Sequence, residues 1–270
     1  MSATHKDLAA RYERDGFVFP VDVMTQAQAN GCRQQLEALE ARDSDDFPIK
    51  ACVRRYPNLV LPFVDEITRR TEITDIVAEI LGPDLLVLDS PFFIKEANSP
   101  NFVTWHQDLH YWGLEGEQEV TAWVALSPAS VKSGCMRFVA GSHTTELAHR
   151  DTFSAENLLS RGQEIAVEVD DSDAVEASLE TGQMSLHHGQ VIHGSNPNGT
   201  DDRRIGLAIR YISTKMTQAP GGNMAAMLVR GKDTHHNFRA CKPPSGTMTK
   251  DDIAYWREIA GARNSVMMGS

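Results

Sequence analysis

Beyond Pro83 the apolar residues come in short runs, each closed by turn formers: 85-LLVLDSPFFIK-95, 119-EVTAWVALS-127, 135-CMRFV-139, 165-IAVEV-169, 183-QMSLHHG-189, 203-RRIGLAIRYIS-213 and 226-AMLVRG-231. Runs of this length suit strands, and so many in succession predict a sandwich or barrel.

The chain before Pro83 has a different texture. Residues 4–15 read as a polar helix ending at Gly16, and 17-FVFPVDVM-24 as a strand. Thr25 and Gln28 form a capping box for a helix with Ala29, Cys32, Leu36 and Leu39 on one face. A third helix is predicted from Leu61 to Leu81, with Phe63, Ile67, Ile73, Val77 and Ile80 as its stripe and Gly82-Pro83 as its stop. A last helix covers Asp251 to Arg263. The expected architecture is mainly β with helices (α+β). It is one domain over residues 1–270, with a helical N-terminal region (residues 1–82) packed on a β core (83–240) and a helical segment at 241–270. Residues 144–163 read as a polar insertion of the kind that covers a site.

The 270 residues can bury a substantial core. A formal net charge of -11 argues against a nucleic-acid partner, which normally meets a basic face. No apolar run approaches the roughly 18 residues of a membrane span, and the first residues are too polar for a signal peptide. Cys32, Cys52, Cys135 and Cys241 form no CxxC pair. They are expected to be reduced thiols in a cytoplasmic protein.

The chemistry concentrates in 104-TWHQDLHYW-112. His-x-Asp alone is a weak signal, and His5-Lys6-Asp7 repeats it in a polar terminus. In a strand, however, residues two apart share a face, so His106 and Asp108 could reach one ion together. Two histidines and a carboxylate suit iron(II) with open positions. A second histidine is offered by 186-LHHGQVIHGSNPNGTDDRRIGLAIRYI-212. Val191, His193 and Ser195 are expected on one strand face, and residues 196–202 to turn the chain back as a hairpin. On the returning strand Ile205, Leu207, Ile209 and Tyr211 should pack against the helices. Arg204, Gly206, Ala208 and Arg210 form the other face, a cationic floor with space above it. A guanidinium grips a carboxylate bidentately. A metal ligand and a carboxylate clamp would then stand on adjacent strands.

Three stretches in order resemble the phytanoyl-CoA dioxygenase family: WHQDLHYW, AWVALSPASVKSGCMRFVAGSH and LHHGQVIHGSNPNGTDDRRIGLAIRY, over roughly residues 90 to 213. Ala140 departs from the proline usual there, at a turn. The resemblance implies a double-stranded β-helix (jelly-roll, cupin-like) with the N-terminal helices on its outer sheet. It implies Fe(II), with 2-oxoglutarate and O2 as co-substrates. His106, Asp108 and His193 would hold iron, Arg204 the distal carboxylate of 2-oxoglutarate, and Ser195, Trp123 and Lys95 would help bind that co-substrate. Related halogenases carry Ala or Gly where Asp108 stands, so hydroxylation is the expected outcome.

The bland alternatives are specific. His110 suits packing beside the ligands, His143 a turn, and His235-His236 and Asp201-Asp202 the surface. Trp105 should point opposite to His106. Tyr111, Trp112 and His188 are candidates for the substrate pocket wall, and His187, like His188, is open between core and pocket wall. Arg210, and less so Arg137, would favour a substrate with a carboxylate or phosphonate. The expected function is hydroxylation of a small polar metabolite, with succinate and CO2 as co-products. The alternatives are a non-catalytic jelly-roll binding protein and a metal-dependent cupin-type enzyme that does not use 2-oxoglutarate. Arg204 beside an intact triad separates the first reading from both.

Overall fold

The computed structural model describes residues 4–154, 156–159, 162–167 and 169–267. Helix α1 (His5–Asp15) opens on a capping box between Thr4 and Asp7. It closes at Gly16, with φ 82°. A Cβ at Gly16 would stand 2.5 Å from His143 Nδ1, so the position is demanded by backbone conformation and by space. Strand β1 (Phe17–Asp22) follows, then α2 (Gln26–Glu40), capped by Thr25 and Gln28 as expected.

The single helix expected over 61–81 is two: α3 (Pro62–Thr68) and α4 (Thr71–Leu81). The break falls at two arginines held by distant backbone. Arg69 bonds Asp65 and the Leu228 carbonyl, and Arg70 bonds the Val23 carbonyl. These contacts are tertiary and leave no mark on the local apolar stripe, which stays buried at Phe63, Ile67, Ile73 and Val77.

The β core comprises β2 (Leu85–Asp89), β3 (Phe92–Lys95), β4 (Val103–His106), β5 (Glu119–Ala125), β6 (Met136–Val139), β7 (Ala174–Ala177), β8 (Gln183–His187), β9 (His193–Ser195), β10 (Arg204–Ser213) and β11 (Ala225–Arg230). One sheet runs β1-β8-β5-β10-β2-β11 and ends on Arg239–Ala240, with β3 also paired to β10. The smaller sheet runs β7-β6-β9-β4. This is the expected jelly-roll. Helix α5 (Lys250–Met267) closes the chain.

Strand β10 is the hinge between core and site. Ile205, Leu207, Ile209 and Tyr211 are fully buried in the large core shared with the helices, including Leu36, Ile73 and Val77. Arg204, Ala208 and Arg210 face the interior of the jelly-roll, as the alternation predicted.

Two strand expectations fail. The run 165–169 is not a core strand: Gln163–Ile165 pairs with His149–Asp151 in a separate hairpin, and Glu168 lies outside the described residues, as do Ala155, Ser160 and Arg161 of the expected 144–163 insertion. The core strand of that region is β7, a four-residue run (AVEA) set directly behind the acidic stretch 170–173. Nor do β9 and β10 form a hairpin. They belong to opposite sheets. Asn198 pins the crossing loop, its side-chain amide donating to the carbonyls of Lys95, Glu96 and Asp202. Asp202 is more than a solvated turn, since it holds Arg33 of α2 through both oxygens at 2.6 and 2.7 Å. The four cysteines are free, and no described helix is long and apolar enough to cross a membrane.

Candidate metal centre

His106 and His193 are direct cross-strand partners of β4 and β9, with ring centroids 4.1 Å apart. Asp108 is not on the strand with them. The ladder stops after His106 because the Gln107 N–H donates to His149 Nε2 at 3.0 Å. The fully buried Gln107 side chain then bonds Thr145, Leu147 and Gln190. The chain bends into a 3-10 turn, and Asp108 swings back at its start (φ -65°, ψ -46°). The pairing foreseen from alternation is therefore reached by a bend instead. Asp108 Oδ1 lies 3.5 Å from His106 Nε2, and Oδ2 lies 4.0 Å from His193 Nε2. One ligand atom from each of the three falls within 4.8 Å of the others.

Each histidine ring is set by its own backbone. His106 Nδ1 lies 2.9 Å from the Thr104 carbonyl, and His193 Nδ1 2.9 Å from the Val191 carbonyl. A carbonyl only accepts, so Nδ1 carries the proton and the Nε2 lone pair faces Asp108. This is the tautomer that ligates a metal. Burial, and then His106, lowers the pKa of His193 to about 4, keeping it neutral. Burial alone would raise Asp108. The surrounding positive groups, Arg210 among them, outweigh it, so the carboxylate stays ionised far below its usual range. Two imidazoles and a charged carboxylate converge on one point.

Across the interior stands Arg204, 1% exposed. One guanidinium nitrogen donates to the Gly134 carbonyl at 2.8 Å, and its Nε is buried without a partner. Burial lowers its pKa to about 10. It sits 5.1 Å from the Trp123 ring, which lies over Gly206. Lys95 is its cross-strand partner and is fully buried. Lys95 Nζ donates to Ser195 Oγ at 2.6 Å and to the Asn196 carbonyl. Lys95 thus positions Ser195, while Ser195, Trp123 and Arg204 line the cavity with the triad.

The remaining candidates divide. Arg210 lines the cavity. Trp112 lies under it at 4.5 Å but belongs to a neighbouring core cluster. Tyr111 packs on His110 and His149. His188 is placed away from the cavity, against Tyr12 and His143, because β8 ends at His187 and it is His187 that faces inward. His110 bonds Glu146 at 2.9 Å and stacks on His149. His143 ties its turn to the Glu13 carbonyl. His235 and His236 are exposed. Trp105 and Arg137 line a groove of about 400 Å³ on the far side of the small sheet, where Arg137 pairs with Asp171 at 2.7 Å. Trp105 thus points opposite to His106, as expected.

Sequence reading left His187 open between core and pocket wall, and missed Thr121, Glu119 and Gln107. His187 and Thr121 line the cavity. Glu119 is fully buried, accepts from the Gly189 N–H, and is pushed well above its usual pKa by burial and by Asp108. None sits in a telling motif. Their positions follow from cross-strand register, which the sequence of one strand does not carry.

A family model described as phytanoyl-CoA dioxygenase matches residues 12–206. A "Probable alpha-ketoglutarate-dependent hypophosphite dioxygenase" of Stutzerimonas stutzeri is 28% identical over 189 residues, 66% of this chain and 64% of that protein. The match thus covers less than two thirds of that relative. Among solved structures, the "non-heme monooxygenase; ThoJ apo" is 34% identical with TM-score 0.85, over 97% of this chain and 98% of that one. "CytC3 with Fe(II) and alpha-ketoglutarate" shares the fold at TM-score 0.63 and 23% identity, over 87% and 92%.

Proposed function

The chain belongs to the phytanoyl-CoA dioxygenase family, and from that premise we propose that it is an Fe(II)- and 2-oxoglutarate-dependent dioxygenase hydroxylating an unactivated carbon of a small polar metabolite. One observation carries the reading: a convergent His-Asp-His cluster shares its cavity with a buried guanidinium that has no carboxylate partner among the described residues. An uncompensated buried charge is costly, and an anionic ligand removes the cost. 2-Oxoglutarate supplies both a carboxylate for that cation and a 2-oxo acid end for a metal.

The donor set fits the group. Two imidazole nitrogens and one carboxylate oxygen are the facial set of non-haem iron(II), and neutral histidines with a charged aspartate are the protonation states it needs. His106, Asp108 and His193 would hold the iron. Arg204 would receive the distal carboxylate, with Ser195 Oγ beside it. Lys95 and Trp123 fix the positions of Ser195 and Arg204. When bound, iron and 2-oxoglutarate supply the oxidising chemistry: O2 gives one oxygen to the substrate and one to succinate, with loss of CO2. The chain's own role is to orient the two co-substrates and keep the site dry.

The clamp is tested by Arg204→Ala. Its 2-oxoglutarate affinity should fall on the order of 100-fold, because a buried charge-assisted pair is lost. Iron affinity, measured without 2-oxoglutarate, should hold within about twofold. Unchanged co-substrate affinity would remove Arg204 from the site.

A further inference from the structure

Resting on the dioxygenase reading above, we infer that Arg210, Thr121 and His187 form a second anion-recognising subsite, which grips an oxyanion of the substrate, carboxylate or phosphorus oxyanion. In the large sheet Arg210 of β10 is the register partner of Thr121 of β5, and Thr121 that of His187 of β8. The three stand on one rung across three neighbouring strands and share a face. All three line the cavity that holds the metal ligands. Each also has a buried polar atom without a partner: Arg210 Nε, Thr121 Oγ1 and His187 Nδ1.

A row of such groups is not what a folded core tolerates by accident, because each unpaired buried donor costs free energy. Two are donors, a guanidinium N–H and a hydroxyl, and the imidazole joins them as a donor in its Nδ1-protonated tautomer. Together they match an acceptor with two or three oxygens. Trp112 holds the guanidinium 4.5 Å from its ring. Asp89 Oδ2 pairs with one end of that cation at 4.0 Å, while Asp89 Oδ1 accepts the backbone N–H groups of Tyr56 and Ser90. Asp108 would be taken up by the metal. The guanidinium Nε stays without a partner. Arg204 and Arg210 lie six residues apart on β10, about 20 Å of strand, so one substrate group does not serve both. A substrate with an apolar or ammonium end here would leave the rung unsatisfied.

The test uses anaerobic protein saturated with Fe(II) and 2-oxoglutarate, so that Arg204 is already occupied. Acetate, methylphosphonate and neutral acetamide are titrated by calorimetry. At least one anion should bind saturably and acetamide should not. Arg210→Gln should weaken that binding by about tenfold or more, and Thr121→Val by several-fold. Thr121→Val, which leaves the Arg210 charge beside Asp108 in place, should keep its 2-oxoglutarate half-saturation. The subsite is wrong if neither anion binds, if acetamide binds equally, or if Arg210→Gln binds the anion as wild type does. It is also wrong if Thr121→Val loses 2-oxoglutarate together with the anion, since Thr121 would then be supporting the co-substrate site. Protein that fails to bind 2-oxoglutarate in wild type overturns the dioxygenase reading instead.

Discussion

Lys95 and Arg204 are two basic side chains buried as cross-strand partners, and the pair makes the site sensitive to pH. Burial, and then Arg204, lowers Lys95 to about 6, well under its ordinary 10.5. Between these values the unfolded chain binds a proton that the folded chain does not. Stability therefore rises with pH across that window and is lost as pH falls toward 6. Urea unfolding from pH 6.5 to 9 should show wild type gaining on Lys95→Met as pH rises; parallel curves would mean that Lys95 stays charged in the fold. At this scale His106, Asp108, His193, Ser195 and Arg204 were legible, because each sits in a motif with its neighbours. His187 stayed open between core and pocket wall, and Thr121 and Gln107 were not legible. A threonine in a strand looks like any other until its register partners are known.

Strand β10 was legible as an element, since its alternation alone separates a core face from a site face. That separation predicts opposite outcomes for adjacent substitutions. A Cβ on Gly206 would stand 1.8 Å from the Trp123 ring. Gly206→Ala should therefore cost about 1–3 kcal/mol by overpacking. It should also weaken 2-oxoglutarate binding, because Trp123 has to leave its place beside Arg204. Leu207→Ala, on the fully buried opposite face, should cost about 2–5 kcal/mol and leave that affinity alone. Chemical denaturation with 2-oxoglutarate titration separates the two. Equal effects on binding would deny the two-faced role of the strand. The elements that sequence reading misplaced were set by distant contacts. The α3–α4 break rests on arginines bonded to Leu228 and Val23, and Asp108 leaves its strand because a histidine takes the next N–H.

The whole molecule has one large core, in which residues from Leu8 to Ala260 meet on the outer face of the large sheet. Helices and jelly-roll should thus unfold as one unit. Far-ultraviolet circular dichroism and tryptophan fluorescence should give coincident transitions, whereas an earlier loss of helix would mark residues 1–82 as a separate unit. The sequence showed the fold at this scale through strand texture and ordered motifs. It did not show that β9 and β10 lie in opposite sheets, and this is what sets the His-Asp-His cluster across the cavity from Arg204. The proposed chemistry rests on that arrangement, and an anaerobic titration probes it without a substrate in hand. Fe(II) and then 2-oxoglutarate are added to metal-free protein while the visible spectrum is followed for the weak band of a 2-oxo acid chelated to iron. The band should form in wild type and be lost in His193→Ala. Iron binding without the band, or a band that survives in the variant, would be incompatible with a triad and clamp that share one cavity.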